Sequence, residues 1–237
     1  MKKLTDNRLR QTTFYSLASQ FVLNAFGSTY FEEDCLSVVK ASTVRALTGK
    51  PLAMERIPEE EKYQQLSKHL NRIASDNATE AILRNNCKLL AKGLGLPKGA
   101  GKLLTFLIVY TKNIGLNQLF DGDFNFSCEN IDQIVADING HSIQEQVDAI
   151  KALSSTGLFM FDNATQVLEL TPLPSVIIEC LTYVKAKSYS ELVAQITIKP
   201  TSSSLSLADF DYVQSDTLLK LIKQAPFNQL WLITVAP

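Results

Sequence analysis

The sequence predicts a mainly α-helical protein: an N-terminal helical bundle, a winged-helix-like unit with one short β-hairpin, and a helical C-terminal connector. Three observations support this. Apolar residues recur at intervals of three and four along most of the chain, which is helical spacing. Glycine and proline follow these stripes as stops. Only one segment, residues 158–170, combines alternating apolar residues with turn residues at its centre.

The N-terminal region, residues 1–95, is predicted to hold four helices. Gly27 ends the first and Gly49 ends the second. The third begins at Pro58, which can occupy a first helical position, and the glutamates that follow suit the positive end of the helix dipole. The fourth begins near Asn77. The apolar stripes of the four run over Phe14–Ala25, Leu36–Leu47, Tyr63–Ile73 and Leu83–Leu94.

The middle region, residues 96–196, has the element order of a winged helix-turn-helix. The apolar run Leu103–Tyr110 is interpreted as a helix, and Ile131–Ile138 forms the next. Ser142 and Glu145 predict a capping box for a third helix over residues 142–156. The hairpin over 158–170 would be the wing. Two short helical stretches follow, Val176–Val184 and Tyr189–Ile196.

The C-terminal region, residues 197–237, is predicted to be a linker and a connector helix that ends in a short strand. The segment TSSSLS has linker composition, and apolar residues around 218–222 predict the helix. Phe210 and Tyr212 are expected to dock the connector onto an apolar surface. Trp231 lies in the closing strand, which would be exposed unless a partner covers it. These three residues are the predicted partner contacts.

Charge and composition limit the classes of function. The net charge is −1, so the whole chain is not a strongly basic nucleic-acid binder. Residues 1–100 hold 15 Lys/Arg against 10 Asp/Glu, a net of +5, whereas residues 101–190 hold 5 against 10, a net of −5. The polar N-terminus and the lack of a long apolar run predict a soluble, cytoplasmic protein without signal peptide or membrane span.

The segment LPKGAGKL, residues 96–103, partly resembles a phosphate-binding loop. Gly101 and Lys102 fit, but Leu96 replaces the first glycine and Leu103 replaces the Ser/Thr. The segment also follows a helix, so a plain helix–helix turn is predicted. The two histidines, His69 and His141, have no partner motif, and the four widely spaced cysteines are interpreted as core residues. No catalytic, cofactor or metal residues are predicted.

Several segments resemble the region that precedes the ATPase core in a group of bacterial AAA+ proteins. They are ATEAILRNNCKLLAKGLGLPKGAGKLLTFLIVYTKN, the helix that ends in SSTGLFMFD, VLELTPLPSVIIECL, and SLSLADFDYVQSDTLLKLIKQA. In that family a strand and a glycine-rich phosphate loop come next, whereas QLWLITVAP comes next here. No position matches the Walker A or Walker B residues, so the resemblance carries over no ATPase residue.

The resemblance implies a non-catalytic regulatory or substrate-recognition region of an AAA+-type ATPase, with the chain interpreted as a truncated form without the ATP-binding core. Its expected partner is a protein or the ATPase core itself. The alternative is a stand-alone winged-helix DNA-binding regulator, which the helix–helix–helix–hairpin order and the basic first hundred residues favour. Nucleic acid is the weaker partner, because the unit around the third helix is net negative.

Overall fold

The structure of the protein is a computed structural model that consists mainly of α-helices. The predicted mainly helical class is therefore confirmed. The structure describes residues 14–27, 33–74, 78–120, 131–156, 160–162, 167–169 and 175–196. The predicted connector over 197–237 lies outside these ranges. Among the described residues, no helix is both long enough and apolar enough to span a membrane.

The N-terminal helices follow the predicted order with one correction. They are α1 (Tyr15–Phe26), α2 (Ala41–Thr48), α3 (Glu59–Ile73) and α4 (Ala78–Gly93). The predicted second helix over 36–47 is broken into a 3₁₀ helix, Glu33–Val38, and α2. Lys40 is extended between them, and the carboxylate of Glu55 accepts a hydrogen bond from the Ala41 N–H at 3.1 Å. This hydrogen bond pairs the first backbone N–H of α2, where the helix begins.

The later helices are α5 (Ala100–Lys112), α6 (Ile114–Gln118), α7 (Ile131–Asn139), α8 (Ile143–Ser155), α9 (Ser175–Tyr183) and α10 (Tyr189–Ile196). The apolar run Leu103–Tyr110 is helical as predicted, and Ser142 and Glu145 form the predicted capping box. The short helix α6 was not predicted. Asn113 caps it through Leu116 N–H at 2.8 Å and also donates to the carbonyl of Leu47 at 3.1 Å.

Two three-residue strands follow α8 in the chain. β1 (Met160–Asp162) pairs antiparallel with β2 (Val167–Glu169), with Phe161 opposite Leu168. The residues that would complete a wing, 157–159 and 163–166, lie outside the described residues. The winged-helix unit therefore stays a prediction.

One apolar cluster extends over both predicted regions. Leu17 of α1, Leu83 of α4, Leu107 of α5 and Leu153 of α8 are all buried within it. Helix α4 packs against α5, α9 and α10, while α1 packs against α3 and α7. The predicted boundary at residue 95/96 stays a prediction, and the described residues on its two sides share this core.

Buried polar side chains join helices at their ends. Asn86 of α4 is fully buried, and its amide donates to the carbonyls of Leu181 at 3.0 Å and Val184 at 2.6 Å, at the end of α9. Glu80 of α4 is also buried, and its carboxylate accepts from the Ser16 N–H of α1 at 3.1 Å. Phe14, at the N-cap of α1, provides no side-chain cap, so Glu80 replaces it from another helix.

The buried Glu80 should make stability depend on pH. Burial raises its pKa above the ordinary 4.5, and hydrogen bonds from Ser16 and Leu17 offset this only in part. The folded state thus holds the proton more tightly, so the free energy of unfolding should fall as pH rises above about 4.5. Glu80→Gln keeps an oxygen acceptor without the charge, and its stability relative to wild type should increase from pH 4 to pH 7. Urea unfolding at several pH values measures this; parallel pH profiles would contradict it.

A close helix approach makes Gly115 sensitive to substitution. A Cβ at Gly115 in α6 would overlap the backbone nitrogen of Leu47 in α2. Because backbone cannot rotate away, Gly115→Ala should lower the free energy of unfolding by about 3 kcal/mol. Gly27→Ala is the matched control, since a Cβ there would meet only Asn24 O at 3.4 Å, an ordinary contact. Chemical denaturation should show a much smaller change for the control, and equal losses would refute the argument.

Candidate functional site

A cavity of about 900 Å³ lies where two helix–turn–helix corners meet, and we call it the corner cavity. One corner joins α4 to α5, and the other joins α7 to α8. Helix α1 closes the remaining side through Gln20, Phe21 and Asn24.

The first corner is built by a glycine at the end of α4. Gly95 has a left-handed backbone with φ of 68°. Its N–H donates to Lys92 O at 3.1 Å, and the Leu96 N–H donates to Ala91 O at 2.9 Å. These two bonds form a Schellman motif, which ends a helix and reverses the chain. Residues 96–99 of LPKGAGKL thus form a turn between two helices, as the sequence predicts, and residues 100–103 begin α5.

The second corner repeats this construction at the end of α7. Gly140 has φ of 62°, and its N–H donates to Asp137 O at 3.0 Å. The His141 N–H donates to Ala136 O at 2.9 Å, which completes a second Schellman motif. The capping box of Ser142 and Glu145 then begins α8, so the turn between the helices is short and fixed at both ends.

Two side chains tie these corners together. The Lys102 ammonium donates to Asn139 O at 2.7 Å, and the Asn24 amide donates to Ile138 O at 2.8 Å. With the two Schellman bonds, the last four carbonyls of α7 all have partners. A Cβ at Gly99 would lie 2.9 Å from the His141 ring, so the corners also touch where only glycine fits.

The charge of the corner cavity is strongly positive. Five cations line it, against the single carboxylate of Glu145: Arg84, Lys88, Lys92, Lys98 and Lys102. The first three recur every fourth residue on α4, so they share one face of that helix. All five side chains are exposed, and none of them forms an ion pair with a carboxylate in the described parts of the chain.

The N-termini of the two helices at the cavity differ. Gly99 precedes α5 and has no side chain, so no side chain caps that helix. By contrast, Ser142 and Glu145 cap α8 with a reciprocal capping box. The helix dipole gives α5 a partial positive charge at the cavity, where Gly99 and Gly101 form part of the lining, while the Ala100 and Lys102 N–H groups already donate to Pro97 O and Gly99 O.

The ring of His141 lies half-buried at the cavity. Burial lowers its pKa, and the neighbouring Lys102 ammonium lowers it further against the opposing effect of Glu145. The side-chain hydrogen bond with Gln146 also opposes this lowering, but the pKa stays below its ordinary value of 6.5, so the imidazole is neutral near pH 7. The pKa of Glu145 is lowered by hydrogen bonds from Ser142, so its carboxylate remains charged.

The sequence-predicted partner contacts, Phe210, Tyr212 and Trp231, lie outside the described residues. His69 contacts the Thr48 hydroxyl at 3.2 Å, away from the corner cavity. Cys87 and Cys180 are buried free thiols, and burial raises the pKa of Cys87 to about 12. The described residues contain no group of three or more His, Cys, Asp or Glu side chains that could hold a metal ion.

Sequence reasoning missed the corner cavity, although one signal was present. The spacing of Arg84, Lys88 and Lys92 already placed three cations on one helix face. The approach of α7 to the LPKGAGKL turn depends on tertiary contacts that no local pattern shows.

Comparison with known proteins adds no relative. No family model, no curated protein and no solved structure matches the chain.

The tie between the corners can be tested at Lys102. Lys102→Met keeps most of the aliphatic stem but removes the donor to Asn139 O, so the free energy of unfolding should fall by about 1 kcal/mol. Lys98→Met is the matched control, because Lys98 lines the same cavity with no hydrogen bond from its side chain to the described residues. Thermal unfolding should separate the two variants, and equal stabilities would rule out a capping role.

Proposed function

We propose that this chain is a non-catalytic recognition region that binds an anionic target in the corner cavity. The observation that carries the proposal is the convergence of five cations and one carboxylate on one concave surface. Concave sites with a few converging polar groups are the usual form of ligand pockets. The proposal assigns binding, not bond-making chemistry, to this surface.

The physical argument concerns repulsion between like charges. Arg84, Lys88 and Lys92 are neighbours on α4, and like charges at this spacing destabilise a helix. Within the described residues none of them forms an ion pair with a carboxylate, and only Arg84 is attracted by one, the buried Glu80. An anion in the cavity would remove this repulsion, and the positive field would raise its association rate.

The resemblance to the region before an AAA+ ATPase core extends this proposal. In that setting, anion binding would be the recognition step, and the segment with Phe210 and Tyr212 would connect it to the ATPase. Trp231 would contact a partner protein or that core. What supports this link is the sequence resemblance, while the cavity supports the binding step.

The alternative, a winged-helix DNA-binding regulator, is favoured by the packing of α5, α7 and α8 against one another and by the strand pair after α8. The face that α8 would present to DNA argues against it. Glu145 and Asp148 are exposed there beside Lys151, and the Gln144 amide is engaged by Asp148 at 2.9 Å. Two carboxylates would repel phosphates, so recognition in the cavity is the better supported function.

Charge reversal tests the proposed function. Calorimetry of the full chain at low salt with inorganic pyrophosphate and poly-L-glutamate should show saturable binding of at least one probe. Lys88→Glu with Lys92→Glu should weaken it by at least about tenfold, because a neutral or negative wall cannot hold an anion. The matched control is Lys68→Glu with Arg72→Glu, an equal charge change on α3 outside the cavity.

The control pair should bind within about twofold of wild type, since neither residue lines the cavity and exposed charges are screened by salt. Equal weakening by both pairs would mean general charge attraction and would overturn the proposed function. The alternative, DNA binding by α8, is tested with a random DNA duplex in a mobility-shift assay at low salt. A shift that disappears in Lys151→Glu but persists in the Lys88→Glu/Lys92→Glu variant would favour DNA binding by α8.

A further inference from the structure

We propose that the corner cavity takes up a proton when it binds its anion, and that His141 accepts this proton. This inference rests on the proposed function and adds a regulation by pH to the same site. It depends on three observations: the imidazole lies among the cations of the cavity, contacts from both corners hold it there, and the charges around it oppose its protonation.

The imidazole of His141 belongs to the concave surface on which the anion would bind. It lines the corner cavity together with Lys98, Lys102 and the three cations of α4. The ring is only partly buried, so it can exchange a proton with water in the cavity. Within the described part of the chain, it is the only lining group whose ordinary pKa lies between pH 5 and pH 8. A proton taken up near neutral pH is therefore assigned to this ring.

Contacts from both corners hold the ring in this position. A Cβ atom at Gly99 would lie 2.9 Å from ring Cε1 and 3.0 Å from Nδ1, so the ring packs directly on the backbone of the first corner. The side chain of Gln146 in α8, which is fully buried, hydrogen-bonds the ring from the other side. The His141 backbone is part of the Schellman motif that ends α7. The distance between the imidazole and the cavity cations is thus set by the fold.

The charges that face the ring oppose its protonation. Burial, the Lys102 ammonium of α5 and the Lys98 ammonium of the first corner lower the pKa of His141, whereas Glu145 and the Gln146 bond from α8 raise it. Helices α1 and α7 contribute only uncharged side chains to the cavity lining, and α4 contributes three further cations. Positive charge thus prevails around the ring, and this is the charge that a bound anion would neutralise.

An anion in the cavity should therefore make His141 easier to protonate. Its negative charge offsets the repulsion between the cations and the imidazolium, so the pKa of His141 rises in the complex. Because binding effects are reciprocal, the protonated protein must bind the anion more tightly than the neutral protein by the same factor. The pKa is higher in the complex than in the free chain, so affinity should increase as the pH falls from 8 to 6.

The chain has only two histidines, which permits a direct test by NMR. We would follow both imidazoles of the histidine-labelled full chain from pH 5 to pH 8.5, alone and with inorganic pyrophosphate or poly-L-glutamate at saturation. The pKa of His141 should rise in the complex. His69 is the internal control, since it contacts Thr48 and does not line the cavity, and its pKa should stay the same. An equal rise at both histidines would mean general charge attraction and would overturn the inference.

Calorimetry at pH 6 and pH 8 provides the second measurement, with His141→Gln as the variant and His69→Gln as its matched control. Comparison with His141→Gln removes any proton that the probe itself takes up. From pH 8 to pH 6, the affinity of wild type and of His69→Gln should increase at least about threefold more than that of His141→Gln. Saturable binding with an unchanged His141 pKa would overturn the proton uptake and leave anion recognition intact. No saturable binding at either pH would overturn both.

Discussion

Helix ends must find partners for the backbone groups that the helix itself leaves unsatisfied, and this requirement governs the assembly of the protein around α7. Its last four carbonyls are satisfied by Gly140, His141, Asn24 and Lys102. The first two bonds are local and turn the chain. The last two come from α1 and α5, so ending one helix correctly also brings three helices together and encloses the corner cavity.

The sequence predicted those structural elements whose determining residues lie close together in the chain. The helices and the capping box at Ser142 were predicted because apolar spacing, glycine stops and cap residues lie within one or two turns. The break before α2 and the short helix α6 were not predicted. The break before α2 depends on the Glu55 carboxylate at Ala41, a partner that a pattern confined to a short window cannot show. Helix α6 has a local cap, Asn113 to the Leu116 N–H, but its five residues are too few to show an apolar period, and its anchor to Leu47 O is distant in the chain.

At the candidate site, too, the local features were predicted and the features that depend on tertiary contacts were not. The LPKGAGKL segment was correctly predicted as a turn, and three of the cations were visible as a stripe on one helix face. These cations line a cavity only because α7 packs beside that turn, where Gly99 has no side chain that would clash with the ring of His141. The incomplete phosphate-loop pattern thus argued against a loop that wraps a phosphate, but it gave no information about the cationic cavity that the packed helices form.

The buried thiol of Cys87 has a practical consequence. With a pKa of about 12, only about one molecule in ten thousand carries the reactive thiolate at pH 8 while the fold is intact. Alkylation of this cysteine must then await opening of the interface between α4 and α5, where the thiol gains water and regains its ordinary acidity. The labelling rate of this one sulfur therefore measures how often the core on which the cavity is built comes apart.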